Sequence, residues 1–329
     1  MEMALYDADG GYYGRGPRRL GRSGDFYTSV SVGPLFGKLL ADFARTSFPG
    51  PEAGHVIEQA AHDGQLAEDI LLCLPTPANY TVVEPAAAFR SVQKARLAGP
   101  FGPQVQWIES LNHLRQGPDR AIFLCNELID AFPVHVVRWI GGEWLERCVT
   151  ASEDGSFAWM DVPPTSEPLK AELKSYPRDL PEGFTTEVNL AMLEWIRSLS
   201  QAAFKGKIIV ADYGLDTEEL FDPSRSEGTL RRYRNHQTDD QVLSDLGDCD
   251  LTTHIHFTRL IQEAEACGMK VESYEDQGRW LTRVATPWLQ SLEGRPPDAH
   301  IRAALRQFQT LTHPQFMGRS FRVLVLGRA

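Results

Sequence analysis

The feature that most constrains the fold of this chain is an alternation of short apolar runs with helical segments over its first part. Four runs are typical of strands, at residues 55–58, 80–84, 105–108 and 121–125. The last run is continuous and apolar, as expected for a strand buried on both faces. Because parallel neighbours need a long crossover connection, usually a helix, the alternation predicts βαβ units and a parallel sheet.

The alternation breaks near residue 135. Residues 134–137, 144–149 and 157–160 predict an antiparallel meander, and a proline-punctuated stretch follows them. A helix is then expected from about Glu187 to Ala203. We interpret this part of the chain as an insertion on the sheet.

The βα pattern returns at residues 207–212, and the run at 320–326 predicts a terminal strand. The expected fold is α/β, a Rossmann-like and mostly parallel sheet with an antiparallel C-terminal strand and an inserted mixed subdomain. The expected division is residues 1–134 for an N-terminal loop and the first half of the sheet, 135–205 for the insertion, and 206–329 for the remainder.

The composition of the chain limits the classes of partner that we expect and predicts its location in the cell. A net charge of −11 argues against nucleic acid as a partner, because phosphate backbones attract a basic face. No apolar run approaches the roughly 20 residues of a membrane-spanning helix. The N-terminus has neither a signal peptide nor the Arg-rich character of a transit peptide, and the five cysteines are scattered, as is typical of reduced thiols. These features predict a cytoplasmic protein.

Acidic and amide side chains end several of the predicted strands. In an open parallel sheet, ligands lie outside the carboxyl ends of the strands. Glu84 ends the second strand, where an acid can accept hydrogen bonds from the ribose hydroxyls of an adenosine cofactor. The alternative for Glu84 is an exposed acid at a strand end.

The turn after the first strand is poor in glycine. Nucleotide-binding sheets usually have several glycines here, so that the backbone approaches the ligand closely. In the segment from Glu58 onward only Gly64 is a glycine, Ala60 resists a positive φ, and His62 and Asp63 add bulk and charge. These residues alone leave open whether a cofactor binds at the turn.

The loop after the fourth strand begins with Asn126 and Glu127. These side chains could bind a positive group such as a guanidinium, whose planar fork matches a carboxylate. The alternative for Glu127 is an acid at a helix N-terminus. His254 and His256 invite a metal interpretation, but no third ligand is spaced near them and helix capping explains the segment equally well, so we predict no metal site.

Several segments together resemble the MidA-like family, formerly a domain of unknown function. Each segment alone is weak evidence for the family, whereas the whole set in this order is specific to it and covers nearly the whole chain. The matching segments are residues 1–6, 11–13, 24–29, 35–37, 83–85, 126–134, 212–214, 228–230 with Tyr233 and His236, 250–254, 313–314 and 317–318, and 326–328.

The resemblance implies a class I methyltransferase fold with S-adenosylmethionine as cofactor. The mitochondrial members of the family are complex I assembly factors and protein arginine methyltransferases. The implied partner is therefore a protein substrate or an assembly partner, a respiratory complex subunit being one candidate. Neither the sequence nor the resemblance indicates an oligomeric state.

The resemblance also assigns roles by position. A substrate arginine would be oriented by a carboxylate such as Glu127. The cofactor would be lined by Glu58, Gly64 and Glu84 and closed over by Gly24, Asp25 and Thr28, while the substrate would face Asn126, Glu127 and Asp130. We also expect His62 and Asn126 to bind the cofactor.

This chain departs from the family at the presumed cofactor turn. The family has a Glu-x-Gly-x-Gly-x-Gly pattern where residues 58–64 read Glu-Gln-Ala-Ala-His-Asp-Gly, and Pro-Glu where residues 30–31 read Val-Ser. The main expectation is a methyltransferase that modifies a protein side chain, arginine by resemblance. The alternatives are a non-catalytic scaffold that has lost cofactor binding and a methyltransferase for a small molecule.

Overall fold

The chain forms two compact units in the computed structural model, which describes residues 1–16, 28–48, 54–75, 79–114, 117–234 and 237–328. The first, which we call the sheet unit, comprises residues 16–128, 199–213 and 265–329. The second unit comprises residues 1–15, 129–198 and 214–264. The domain boundaries expected from the sequence stay a prediction.

The main sheet has the strand order β14-β15-β9-β4-β1-β2-β3, and the short strand β13 pairs with the end of β9. Neighbours from β9 to β3 are parallel, whereas β15 pairs antiparallel with both β9 and β14. The strands are β1 (His55–Gln59), β2 (Tyr80–Val83), β3 (Val105–Ile108), β4 (Ala121–Asn126), β9 (Gly206–Leu215), β13 (Ile255–His256), β14 (Lys270–Asp276) and β15 (Phe321–Arg328).

Helices cover the sheet unit. Leu35, Phe36, Leu39 and Leu40 lie on one face of α2 and are buried in the same core as strand residues such as Val56, which is the amphipathic pattern of a helix packed on a sheet. The helices of this unit are α2 (Leu35–Thr46), α3 (Gln65–Leu71), α4 (Ala87–Phe101), α9 (Gln277–Val284), α10 (Thr286–Gln290) and α11 (Ala299–Thr312), and its 3₁₀ turns are Val30–Val32, Gly102–Gln104 and Leu111–His113.

The second unit contains two small antiparallel sheets, with the orders β7-β6-β5-β8 and β11-β10-β12. Its strands are β5 (His135–Ile140), β6 (Glu143–Ala151), β7 (Phe157–Val162), β8 (Thr185–Val188), β10 (Arg231–Arg234), β11 (Gln237–Asp239) and β12 (Asp250–Thr252). Its helical segments are α1 (Glu2–Tyr6), α5 (Glu167–Glu172), α7 (Thr217–Leu220), most of α6 (Leu190–Gln201) and α8 (Phe257–Ala266), and the 3₁₀ turns Leu173–Ser175 and Pro223–Arg225.

The predicted fold class is confirmed, with one local correction. The helix expected from Glu187 begins at Leu190, because residues 185–188 form β8. The Asn189 side chain accepts a hydrogen bond from the Met192 backbone N–H at 2.8 Å and so caps the helix. Within the described ranges, no helix is long and apolar enough to cross a membrane.

Candidate active site

The carboxyl ends of four parallel strands lie side by side in the sheet unit. Gln59 at the end of β1 is in register with Val83 of β2 and Cys125 of β4, and Asn126 is in register with Ala211 of β9. Residues just beyond these positions therefore project from a common sheet edge, where ligands of open parallel sheets bind.

Glu58 is buried near the end of β1, with 2% of its surface exposed. The Tyr80 hydroxyl donates a hydrogen bond of 2.7 Å to its carboxylate. Burial raises the pKa of Glu58 to about 7, because the charged form loses its hydration. The carboxyl group thus anchors the start of the turn that follows.

The turn after β1 has a glycine-like backbone although Gly64 is its one glycine. Ala60 has φ of 69°, His62 of 44° and Gly64 of 83°. These are the three positions at which the resemblance places glycine. The left-handed conformation costs an ordinary residue about 1–2 kcal/mol, so Ala60 and His62 hold the shape of the turn under strain.

Glu84 follows β2 and is tied to the turn through Gln93 of α4. The Glu84 carboxylate accepts hydrogen bonds from the Ala86 backbone N–H at 2.9 Å and from Gln93 Nε2 at 3.2 Å. Gln93 Nε2 also donates to the carbonyl of His62 at 3.0 Å. Burial raises the pKa of Glu84 above its ordinary value. Glu84, Gln93 and His62 thus form one corner of the site.

Gln93 was missed by sequence reasoning, although a signal for it exists. The buried residues of α4 are Phe89, Gln93, Leu97 and Phe101, which recur at every fourth position. A fully buried glutamine on an otherwise apolar helix face has to find hydrogen bonds inside the protein. That position therefore pointed to a polar contact with the sheet.

Glu127 is held by three donors at the end of β4. Its carboxylate accepts hydrogen bonds from Asn126 Nδ2 at 2.8 Å, the Tyr213 hydroxyl at 3.1 Å and the Ser29 backbone N–H at 3.3 Å. Glu127 has φ of 52°, a left-handed conformation that is uncommon for glutamate. The three hydrogen bonds fix the direction of the carboxylate.

The surroundings make Glu127 a weak acid. Burial, together with the negative charge of Asp212, raises the pKa of Glu127 to about 8. Asp212 is fully buried in β9 and accepts hydrogen bonds from the backbone N–H groups of Tyr213 at 2.8 Å and Leu128 at 3.2 Å. The carboxyl group of Glu127 therefore takes up or releases a proton near neutral pH.

The remaining predicted residues are placed as follows. Gly24 and Asp25 lie outside the described residues. The Thr28 hydroxyl accepts a hydrogen bond from the Ser31 N–H at 3.0 Å and stabilises a local turn, while its neighbour Ser29 reaches Glu127.

Asp130 belongs to the second unit, where its carbonyl accepts a hydrogen bond from the Thr253 N–H at 2.9 Å. The ligand roles of Asp130 and Thr28 stay predictions. Among the described residues, no group of three His, Cys, Asp or Glu side chains could hold a metal ion.

The strand-end groups fit an adenosyl ligand. Asn126 Oδ1 and Gln93 Oε1 are buried, and neither accepts a hydrogen bond from the part of the chain that the structure describes. A buried acceptor of this kind is costly without a donor, and hydroxyl and amino groups of a nucleoside are donors. With an acid after β2 and a glycine-shaped turn after β1, the fold and site define a class I methyltransferase.

Comparison with known protein families supports the same class of protein. A family model described as "Putative S-adenosyl-L-methionine-dependent methyltransferase" matches residues 36–275. The chain belongs to this family. The resemblance inferred from the sequence is therefore confirmed, as is S-adenosylmethionine as the cofactor of the family.

Curated relatives carry more specific names. Proteins named protein arginine methyltransferase NDUFAF7, or its homolog, are 26% identical in Caenorhabditis elegans, 25% in Xenopus laevis and 24% in Drosophila melanogaster. The matches cover 75%, 81% and 99% of this chain and 63%, 66% and 80% of those proteins. The chain thus spans slightly less than two thirds of the length of the first two.

All three relatives are named as mitochondrial proteins. The prediction of a cytoplasmic location is wrong on this comparison. It depended on composition and on the absence of a leader pattern, neither of which identifies a compartment.

Two crystal structures from Burkholderia thailandensis share the fold. Their TM-scores are 0.87 and 0.85 at 25% and 26% identity, and each match covers 99% of this chain and 86% or 85% of the other. The first of these proteins is bound to S-adenosyl-homocysteine.

Proposed function

We propose that this chain is an S-adenosylmethionine-dependent methyltransferase that modifies arginine side chains of a protein. The observation that carries the proposal is the Glu127 carboxylate, held by three donors at the same sheet edge as Glu84. One acid would hold the cofactor and the other would receive a guanidinium. Two such groups on one rigid sheet edge can align donor and acceptor for in-line transfer.

On the cofactor side, Glu84 would accept hydrogen bonds from the ribose hydroxyls, and Asn126 Oδ1 would accept one from another polar group of the ligand. The turn from Glu58 to Gly64 would support the ligand through its backbone. When bound, S-adenosylmethionine supplies an activated methyl group. These residues bind and orient it and need not react.

On the acceptor side, Glu127 would bind the guanidinium of an arginine. Asn126, Ser29 and Tyr213 take three of the roughly four acceptor positions of this carboxylate, so it would accept one N–H of the guanidinium on Oε2 and attract the group by its opposite charge. Methylation of a guanidinium nitrogen releases one proton, and a carboxylate that accepts a hydrogen bond from that nitrogen can take it up. With a pKa of about 8, Glu127 would hold such a proton near neutral pH.

The proposed partner is a protein that exposes an arginine. The names of the curated relatives support this class of substrate, and a respiratory complex subunit is one candidate. A negatively charged chain suits a cationic acceptor, because opposite charge favours encounter.

Two measurements test the proposal in sequence. Calorimetry with S-adenosyl-homocysteine is expected to show one site per chain. Incubation of cell extract with tritiated S-adenosylmethionine and the protein should then label protein, and mass spectrometry should find the methyl groups on arginine.

Each negative result has a distinct meaning. No binding at millimolar S-adenosyl-homocysteine would refute the enzyme and leave a non-catalytic scaffold. Binding with label confined to small molecules would refute the protein substrate, and label on another side chain would refute arginine.

A further inference from the structure

His62 occupies a position at which the family resemblance calls for glycine. It adopts a left-handed backbone conformation with φ of 44°, as a glycine would. Its side chain therefore enters space that a glycine leaves empty. Ala60 also stands where the resemblance places glycine, but its side chain is only a methyl group. His62 is therefore the one large side chain at the three glycine positions of the turn.

The His62 ring lies in the corner formed by Glu84 and α4. It packs edge-on against the Phe89 ring, with 5.7 Å between centroids. Gln93 Nε2 bridges the His62 carbonyl and the Glu84 carboxylate at 3.0 and 3.2 Å. The backbone of His62 is thus tied to the acid that the proposed function assigns to the ribose. A positive charge on His62 also partly offsets the rise in the pKa of Glu84, so the ring lies within electrostatic reach of that carboxylate.

The two nitrogens of the His62 ring differ in their exposure to solvent. Nδ1 is buried and, within the described residues, makes no hydrogen bond. The Asp63 carboxylate lies 3.8 Å from Nδ1, beyond hydrogen-bonding distance, and is itself paired with Arg96 at 2.7 Å. The whole side chain is 23% exposed, and Nε2, unlike Nδ1, is not one of the buried unpaired atoms of the described residues, so the Nε2 edge faces solvent.

We infer that His62 is a cofactor-binding residue whose imidazole joins Glu84 in holding the ribose of the adenosyl ligand. Nε2 can accept a hydrogen bond from a ribose hydroxyl or donate one to it, according to the tautomer. The side chain thus adds a contact that glycine cannot make. This inference depends on the proposed function, because it requires the adenosyl ligand to bind at Glu84.

Two variants of the full chain separate a binding role from a structural one. His62→Leu keeps the Cβ, the backbone constraint and an apolar contact for Phe89, but removes the nitrogens. His62→Gln keeps the same constraint and a polar group at about the reach of Nε2. Calorimetry with S-adenosyl-homocysteine and with adenosine, and thermal unfolding without ligand, would be recorded for both variants and the unmodified protein.

His62→Leu is expected to lower the affinity for both ligands by about tenfold, which corresponds to the loss of one hydrogen bond. His62→Gln should stay within about threefold of the unmodified protein, and both variants should unfold at similar temperatures. Equal affinity of His62→Leu and the unmodified protein would overturn the inference and leave the proposed function intact. So would a loss for S-adenosyl-homocysteine but not adenosine, which would place the contact on the amino-acid half. No binding by the unmodified protein would overturn both proposals.

Discussion

The loops after β1 and β4 both place ordinary residues in the left-handed conformation, but they compensate for it differently. In the first loop, Ala60 and His62 take up backbone angles suited to glycine. In the second, Glu127 does so, and three hydrogen bonds to its carboxylate stabilise the arrangement. In the second loop, the backbone strain at Glu127 is thus offset by hydrogen bonds to the side chain of the same residue.

The first loop is stabilised from outside by α4. Gln93 donates to the carbonyl of His62, and Arg96 donates to the carbonyl of Asp63 at 3.0 Å and to its carboxylate at 2.7 Å. Two polar side chains of one helix therefore support a turn in which alanine and histidine stand at two of the three positions where the resemblance places glycine. The left-handed angles at residues 60, 62 and 64 in the first loop are thus held by contacts with α4, whereas the angle at Glu127 in the second loop is held by the residue's own side chain.

The largest effect is expected at the second loop. Glu127→Gln removes the charge that would bind a guanidinium but keeps the size of the side chain, so we expect the rate of arginine methylation to fall by about 100-fold or more. The rate with a tritiated methyl donor measures this. Affinity for S-adenosyl-homocysteine should change by less than about threefold, which shows that the site is folded. An unchanged rate would remove Glu127 from the reaction.

A pH profile sharpens the same assignment. The pKa of Glu127 is raised to about 8, so below pH 8 the group is mostly protonated and cannot pair with a guanidinium. We expect kcat/KM to rise by about 50-fold between pH 6 and pH 8, following the ionised fraction of one such group. Glu127→Gln should lose this rise. A profile that is flat over the interval in the unmodified protein would contradict the assignment.

Substitution of Glu84, on the cofactor side of the site, is expected to have a smaller effect than substitution of Glu127. Glu84→Ala should weaken S-adenosyl-homocysteine binding by about 1–3 kcal/mol, the value of hydrogen bonds to a charged group. Calorimetry measures the loss directly. Glu265→Ala removes an exposed acid of the same unit and serves as the control. Equal affinities for the two variants would mean that the ribose lies elsewhere.

The sequence predicted the sheet and the strand ends because both follow from local patterns. Continuous apolar runs identified β1, β2 and β4, and the polar residues that terminate them, Glu84, Asn126 and Glu127, lie at the expected edge. The periodicity could not show which side chains converge. The contacts of Glu127 with Ser29 and Tyr213 join residues far apart in the chain, so only the packed structure brings them together.

The turn after β1 was predicted least well, for a physical reason. Alanine avoids a positive φ when its local preference decides the conformation. Here the positions of β1 and α3 on either side of the turn, and the hydrogen bonds from α4, decide the conformation and override the local preference. The start of α6 was misplaced for a different reason. Thr185, Thr186 and Val188 favour strands, and the four residues of β8 pair with β5 before Asn189 caps the helix.

The smallest effect concerns the strain in the first loop. Ala60→Gly should raise the free energy of unfolding by about 0.5–1 kcal/mol. The left-handed conformation costs alanine about 1–2 kcal/mol, whereas glycine adopts it freely but gives back about 0.5–1 kcal/mol through the greater entropy of the unfolded chain. Urea denaturation at neutral pH measures the difference.

Ala98→Gly is the matched control, because Ala98 is exposed within α4 and the same substitution there should lower stability by about 1 kcal/mol. Opposite signs for the two variants would show that the turn keeps its glycine-like shape at a measurable cost. If Ala60→Gly destabilised the protein as Ala98→Gly does, the turn would not be strained at Ala60, and the contrast between the two loops would reduce to the hydrogen bonds of Glu127.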